Sequence, residues 1–120
     1  MPGPDGQQLM HAELRIGDSV LMLGQEAPER HCFAPASLKG TTGGLYLYVA
    51  DADAAVARAT KAGCTVTMPV TDMFWGDRVG EVVDPSGHRW ELATHKEDLT
   101  PEEIRQRAKA WFAKGHQGLE

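Results

Sequence analysis

The sequence predicts an α+β fold: a curved mixed sheet built from βαβββ organisation, with a further helix at its end. Three observations carry it: a Gly-Asp turn between two short alternating runs at the start, a strand-helix-strand unit in the middle, and an Asp-Pro-Ser-Gly reversal between the last two strands. Residues 9–16 (LMHAELRI) alternate in character and 19–23 (SVLML) are apolar, so with Gly17 and Asp18 as the loop they form a hairpin. Counting outward pairs Ile16 with Ser19, Arg15 with Val20, Glu13 with Met22 and His11 with Gly24. His11, Glu13, Arg15, Val20 and Met22 then share one face, and Ala12, Leu14, Leu21 and Leu23 the other.

Residues 25–43 contain Pro, Gly, Ser and Thr without periodicity and read as a long linker loop. From 44 to 50 (GLYLYVA) a strand returns, with Gly44, Tyr46 and Tyr48 on one face and Leu45, Leu47 and Val49 on the other. Asp51 to Asp53 supply an N-cap, the next residues are strong helix formers, and Gly63 stands where a left-handed residue ends a helix, which predicts a helix over about 53–62. Strands follow over 64–70, 77–83 and 88–94, with Arg89 and Glu91 on one face and Trp90 and Leu92 on the helix-packed side. Thr100-Pro101-Glu102-Glu103 is a capping box that opens a last helix. Its stripe of Ile104, Ala108, Trp111 and Phe112 needs a surface, either its own sheet or a neighbouring subunit. The boundaries are therefore a single domain over 1–120, with a hairpin at 8–24, a linker at 25–43, βαβββ at 44–95 and a helix at 100–114.

The bulk properties narrow the function. A chain of 120 residues with net charge −5 has room for one modest core, and its few basic residues are scattered. No nucleic-acid partner is expected. No apolar run approaches the roughly 20 residues that cross a bilayer, and MPGPDGQQ lacks the parts of a signal peptide, so no membrane is expected and the location is read as cytoplasmic. Cys32 is read as a loop thiol and Cys64 as a small buried hydrophobe, with no disulfide. His88, His95 and His116 are read as surface residues, and no nucleophile arrangement or phosphate-binding glycine loop stands out.

Two stretches, GLYLYVADADAAVARATKAGCTV and WGDRVGEVVDPSGHRWELATHKED, resemble the vicinal oxygen chelate superfamily of glyoxalases, bleomycin-resistance proteins and dioxygenases, over about residues 44–98. The first hairpin is similar to the end of module one in a subgroup often mislabelled as demethylubiquinone methyltransferases. The resemblance implies two βαβββ modules curling around a ligand cup, with the strand and helix that start module one absent here. It implies a homodimer in which a second subunit covers the exposed edge, by exchange of elements as is common in that family. Metal-dependent members hold a divalent ion with four side chains. Here the first position lies in the absent strand, the second falls on Met22, the third on Gly44, and only the fourth, Glu91, keeps a ligand side chain.

No metal or other cofactor is therefore expected, because a single carboxylate does not hold a catalytic cation. His11, Glu13 and Glu91 are the weak metal candidates, since they would line one cup under the family geometry. The expected cup lining is His11, Glu13, Arg15, Met22, Tyr46, Tyr48, Phe74, Trp75, Arg89 and Glu91, and the expected partner is a small apolar or aromatic molecule. Phe74 and Trp75 are alternatively the closure of the barrel end, with Asp77 and Arg78 a surface pair. Three functions compete: a small-molecule binding protein that sequesters a drug or metabolite without the usual metal; a metal-dependent lyase, isomerase or dioxygenase-like enzyme with a rearranged His/Glu site; and a truncated assembly module with a degenerate cup. Binding, rather than turnover, is the favoured reading.

Overall fold

The computed structural model describes residues 11–115, and in it the chain divides into two units, Met1–Gly40 and Thr41–Glu120. In the first, β1 (Ala12–Ile16) and β2 (Ser19–Leu23) form an antiparallel hairpin in the counted register: Ile16 opposite Ser19, Arg15 opposite Val20, Glu13 opposite Met22. Gly17 makes the reversal with φ +58°, a conformation that strains any residue with a Cβ. His11 directly precedes β1, and residues 8–10 of the predicted hairpin lie outside the described residues.

The linker is not featureless. It contains a 3₁₀ turn, Pro28–Arg30, and a single helical turn, α1 (Pro35–Leu38). Each opens on a proline, whose fixed φ and missing N–H suit the first helical position. Left-handed residues end them, His31 and Lys39. Glu26 ties the segment together by accepting from the Ala34 N–H and the Ser37 hydroxyl.

The second unit runs β3 (Gly44–Tyr48), α2 (Ala52–Lys61), β4 (Thr65–Asp72), β5 (Asp77–Val83), β6 (Arg89–His95), α3 (Pro101–Ala113). Its four-stranded sheet has the order β3-β6-β5-β4, with β3 parallel to β6 and the remaining pairs antiparallel. α2 starts one residue earlier than predicted because Asp51 is the cap, accepting from the Ala54 N–H. Asp53 is thereby left to pair with Arg78.

Pleating sorts the sheet into two faces. Val82 and Leu92, with Leu47 and Trp90 beside them, pack on Ala55 and Val56 of α2. Gly80 permits this approach: a Cβ there would lie 2.8 Å from a Val70 methyl and 3.0 Å from a Val56 methyl. On the opposite face Val79 and Ala93 join Met73 in a second apolar cluster, against which Met68, Trp75 and Trp111 pack. The stripe of α3 thus finds its surface within its own unit through Trp111, while Phe112 stays half exposed. The capping box at its start forms as predicted, with Thr100 and Glu103 each bonding the other's backbone. Among the described residues, no helix is long and apolar enough to cross a membrane.

Candidate functional site

The face opposite α2 is the candidate ligand surface, and strand register fixes what it presents. Tyr46 stands beside Glu91, and Glu91 beside Glu81; Gly44 stands beside Arg89; Tyr48 stands beside Ala93. At the end of the sheet Asp77 stands beside His95. Tyr46, Tyr48, Arg89 and Glu91 therefore share a face, as the alternation predicted.

Asp77 organises this surface. Its side chain is only 2 % exposed, so each of its oxygens must find donors. The hydroxyls of Tyr46 and Tyr48 donate to Oδ2 at 2.6 and 3.0 Å, and the Trp75 indole N–H donates to it at 3.1 Å and also to the Tyr46 oxygen. His95 Nδ1 reaches Oδ1 at 3.1 Å, and His95 Nε2 reaches Asp98 at 2.7 Å. Burial alone would push the Asp77 carboxyl up, but the bonds from Tyr46, His95, Tyr48 and Trp75 outweigh it and hold it below the ordinary value. The hydrogen bonds to Asp98 and then Asp77 raise His95, because an imidazole between two carboxylates must donate from both nitrogens. Tyr46 is raised by burial and by Asp77, and Tyr48 chiefly by its bond to Asp77.

One expectation is corrected here. Asp77 and Arg78 are not a surface pair: their side chains leave β5 on opposite faces, and Arg78 instead bridges Asp53 and Asp72. His95 is a surface residue as expected, half exposed, with both its ring nitrogens engaged by carboxylates. Phe74 and Trp75 meet edge to face with centroids 4.9 Å apart, and Phe74 also contacts Trp111 and Phe112.

A second polar group lies along the middle of the face. Arg89 donates to Glu81 at 2.7 Å but stands 3.7 Å from Glu91. Thr67 also donates to Glu81, and these bonds outweigh burial and lower its carboxyl. Glu91 shifts the other way, raised by burial and by the neighbouring Glu81 against a partial offset from Arg89.

The remaining predicted residues belong to the first unit, where Glu13, Arg15 and Met22 share the hairpin face and His11 Nε2 lies 3.2 Å from Glu13. Of the family's ligand positions, Met22 carries a thioether, Gly44 has no side chain, and Glu91 keeps a carboxylate 3.7 Å from Arg89. Among the described residues, no three His, Cys, Asp or Glu side chains gather in a metal-holding group. Sequence reasoning passed over a cleft of about 300 Å³ lined by Asp72, Met73, Gly76, Asp77, Lys96, Glu97 and Arg107. Gly76 lines it where the backbone leaves no room for a side chain: a Cβ there would lie 2.6 Å from the Glu97 carbonyl oxygen.

Replacing Asp77 with Asn leaves an amide where four donors converge, and should lower unfolding stability by about 2–4 kcal/mol. Urea unfolding measures the loss, and an unchanged midpoint refutes the hub. The pH dependence has two flanks. Asp77, lowered on folding, contributes stability that is full above about pH 4 and is lost as pH falls through its folded value. His95, raised on folding, contributes stability that is full below about pH 6.5 and is lost as pH rises through its folded value. In thermal unfolding followed across pH, His95→Gln should flatten the alkaline flank and, by removing one of four donors to Asp77, reduce the acid flank without abolishing it.

The family model of the Glyoxalase/Bleomycin resistance protein/Dioxygenase superfamily matches residues 2–92. Uncharacterized protein Rv0887c of Mycobacterium tuberculosis is 42% identical over 107 residues, covering 87% of this chain and 62% of that protein. Uncharacterized protein Mb0911c of Mycobacterium bovis is 42% identical over 107 residues, covering 87% of this chain and 70% of its own length. The chain thus spans about two thirds of the curated relatives it matches. Of solved structures, TioX from Micromonospora sp. ML1 aligns with TM-score 0.55 and 27% identity over 83% of this chain and 78% of its own. Protein PA1353 from Pseudomonas aeruginosa aligns with TM-score 0.55 and 26% identity over 81% of this chain and 71% of its own. With most of its length matched by the family model, the chain belongs to the Glyoxalase/Bleomycin resistance protein/Dioxygenase superfamily.

Proposed function

We propose that this chain is a small-molecule binding protein that holds an apolar or aromatic ligand on the Tyr46, Tyr48 and Trp75 face, without the metal site usual in its superfamily. One observation carries the reading: the polar tips of all three aromatics are pinned to Asp77, so the rings are held in place, with those of Tyr46 and Tyr48 left partly open. Tyr46 is 40 % and Tyr48 60 % exposed, large apolar areas for residues so firmly anchored. Rings fixed in advance lose little entropy when a ligand stacks on them. The rearranged enzyme site made of His11, Glu13 and Glu91 has no comparable support, since His11 and Glu13 bond each other. Cys32 and Cys64 are free thiols, which agrees with a cytoplasmic protein.

The neutral bicyclic alcohol naphthalen-1-ylmethanol tests this. It should shift the Trp75 indole N–H resonance saturably, and Tyr48→Ala should weaken it about five-fold through loss of one ring contact. Failure of this and other planar aromatics to saturate the shift overturns the reading.

We also propose that a second copy of the chain covers the free edge of β3. Among the described strands β3 pairs only with β6, and Leu45 on it is substantially exposed. An unpaired strand edge of this kind invites pairing. Sedimentation should show a dimer at micromolar concentration, and a stable monomer refutes it.

A further inference from the structure

We infer that the ligand of this face is an aromatic cation, an arylalkylammonium or amidinium, whose ring lies on Tyr46 and Tyr48 and whose charged N–H groups bond the Glu91 carboxylate. This rests on the binding reading above and adds to it the charge of the occupant.

The direction of the hydrogen bonds comes first. An ionised carboxylate only accepts, so Tyr46, Tyr48 and Trp75 all turn their donors toward Asp77. The Tyr46 oxygen also accepts from the Trp75 indole, so the open lone pairs and ring surface lie chiefly on Tyr48, the more exposed of the two. A ligand at this rim must therefore donate to them, and an acceptor would meet like partial charge.

Glu91 sits in register beside Tyr46 and supplies the second half of the site. Its side chain is only 23 % exposed, yet among the described residues it accepts no hydrogen bond, and its sole charged partner is Arg89 at 3.7 Å. Arg89 is drawn instead to Glu81 at 2.7 Å. A partly buried carboxylate that accepts no hydrogen bond from the described residues, with a second carboxylate, Glu81, beside it in register, is unfavourably placed. An ammonium brought to it supplies the missing donors and relieves the repulsion from Glu81.

The wider charge balance points the same way. Asp77, Glu81 and Glu91 stand on this face against Arg89 and His95, and His95 is shared with Asp98. A cation over the exposed faces of Tyr46 and Tyr48, whose centroids are 5.4 Å apart, gains attraction from the rings as well.

Three probes sharing one ring system separate the possibilities: naphthalen-1-ylmethylammonium, naphthalen-1-ylmethanol and 1-naphthoate, titrated calorimetrically into the full chain near neutral pH. The cation should bind about tenfold or more tighter than the neutral alcohol, as a charge-assisted bond to a poorly solvated carboxylate allows, with the anion weakest. In Glu91→Gln the ratio of cation to alcohol affinity should fall to about one, with thermal unfolding reporting that the variant is folded. Equal affinity for all three probes overturns the charge assignment and leaves the aromatic site standing, and a preference for the anion makes Arg89 the anchor instead. If none of the three binds, the assignment and the binding reading fall together. Should the variant not fold, the ranking of the three probes on the native chain still decides.

Discussion

A carboxylate that is all but removed from water dictates the arrangement of the second unit. Desolvating an ionised Asp without donors costs several kcal/mol, so the fold must bring partners to Asp77 wherever they lie in the chain. It draws them from β3, from the loop after β4, and from the end of β6. The edge strand, the turn and the last strand are thereby tied to β5 at one point by bonds between side chains, in addition to the ladder bonds of the sheet. The side-chain conformations of Tyr46, Tyr48 and Trp75 follow from that single requirement. A surface of aromatic rings that would otherwise be mobile becomes a shaped one.

The two faces of the sheet divide the work. The face on α2 is apolar and closely packed, to the point that Gly80 has no room for a Cβ. The other face mixes an apolar patch, closed by Met73 and Trp111, with charged side chains that are paired within the sheet. Such a face has a stable part and a responsive part. Trp111 brings α3 onto the stable part without needing any neighbour, which leaves the Tyr46 and Glu91 region open.

The legible parts of the fold were those whose signal is local. The hairpin could be counted because side-chain direction alternates strictly and the Gly17 turn fixes its origin, and α2 because Asp51 and Gly63 bracket a run of helix formers. The face shared by Tyr46, Tyr48, Arg89 and Glu91 followed from the same alternation. The single turns at Pro28 and Pro35 escaped because one turn is too short to show a period. The role of Asp77 escaped for a deeper reason. Its phenol partners lie 31 and 29 residues away, and next to Arg78 it has the look of an ordinary ion pair until the strand places the two side chains on opposite faces.

Asp77 and Glu91 are both carboxylates on one face of one sheet, and their difference separates structure from function. Asp77 is fully buried, holds four donors and is driven toward the ionised form; nothing approaching from solvent has a lone pair left to use without breaking a bond already made. Glu91 is partly buried, accepts no hydrogen bond among the described residues, and is raised by burial and by Glu81 against a partial offset from Arg89. Folding alone gives no reason to keep an acid there, since Gln or an apolar residue would relieve both the desolvation and the repulsion from Glu81. Under the proposed reading, a cationic ligand supplies the donors that Glu91 does not find within the fold, beside the open rings of Tyr46 and Tyr48.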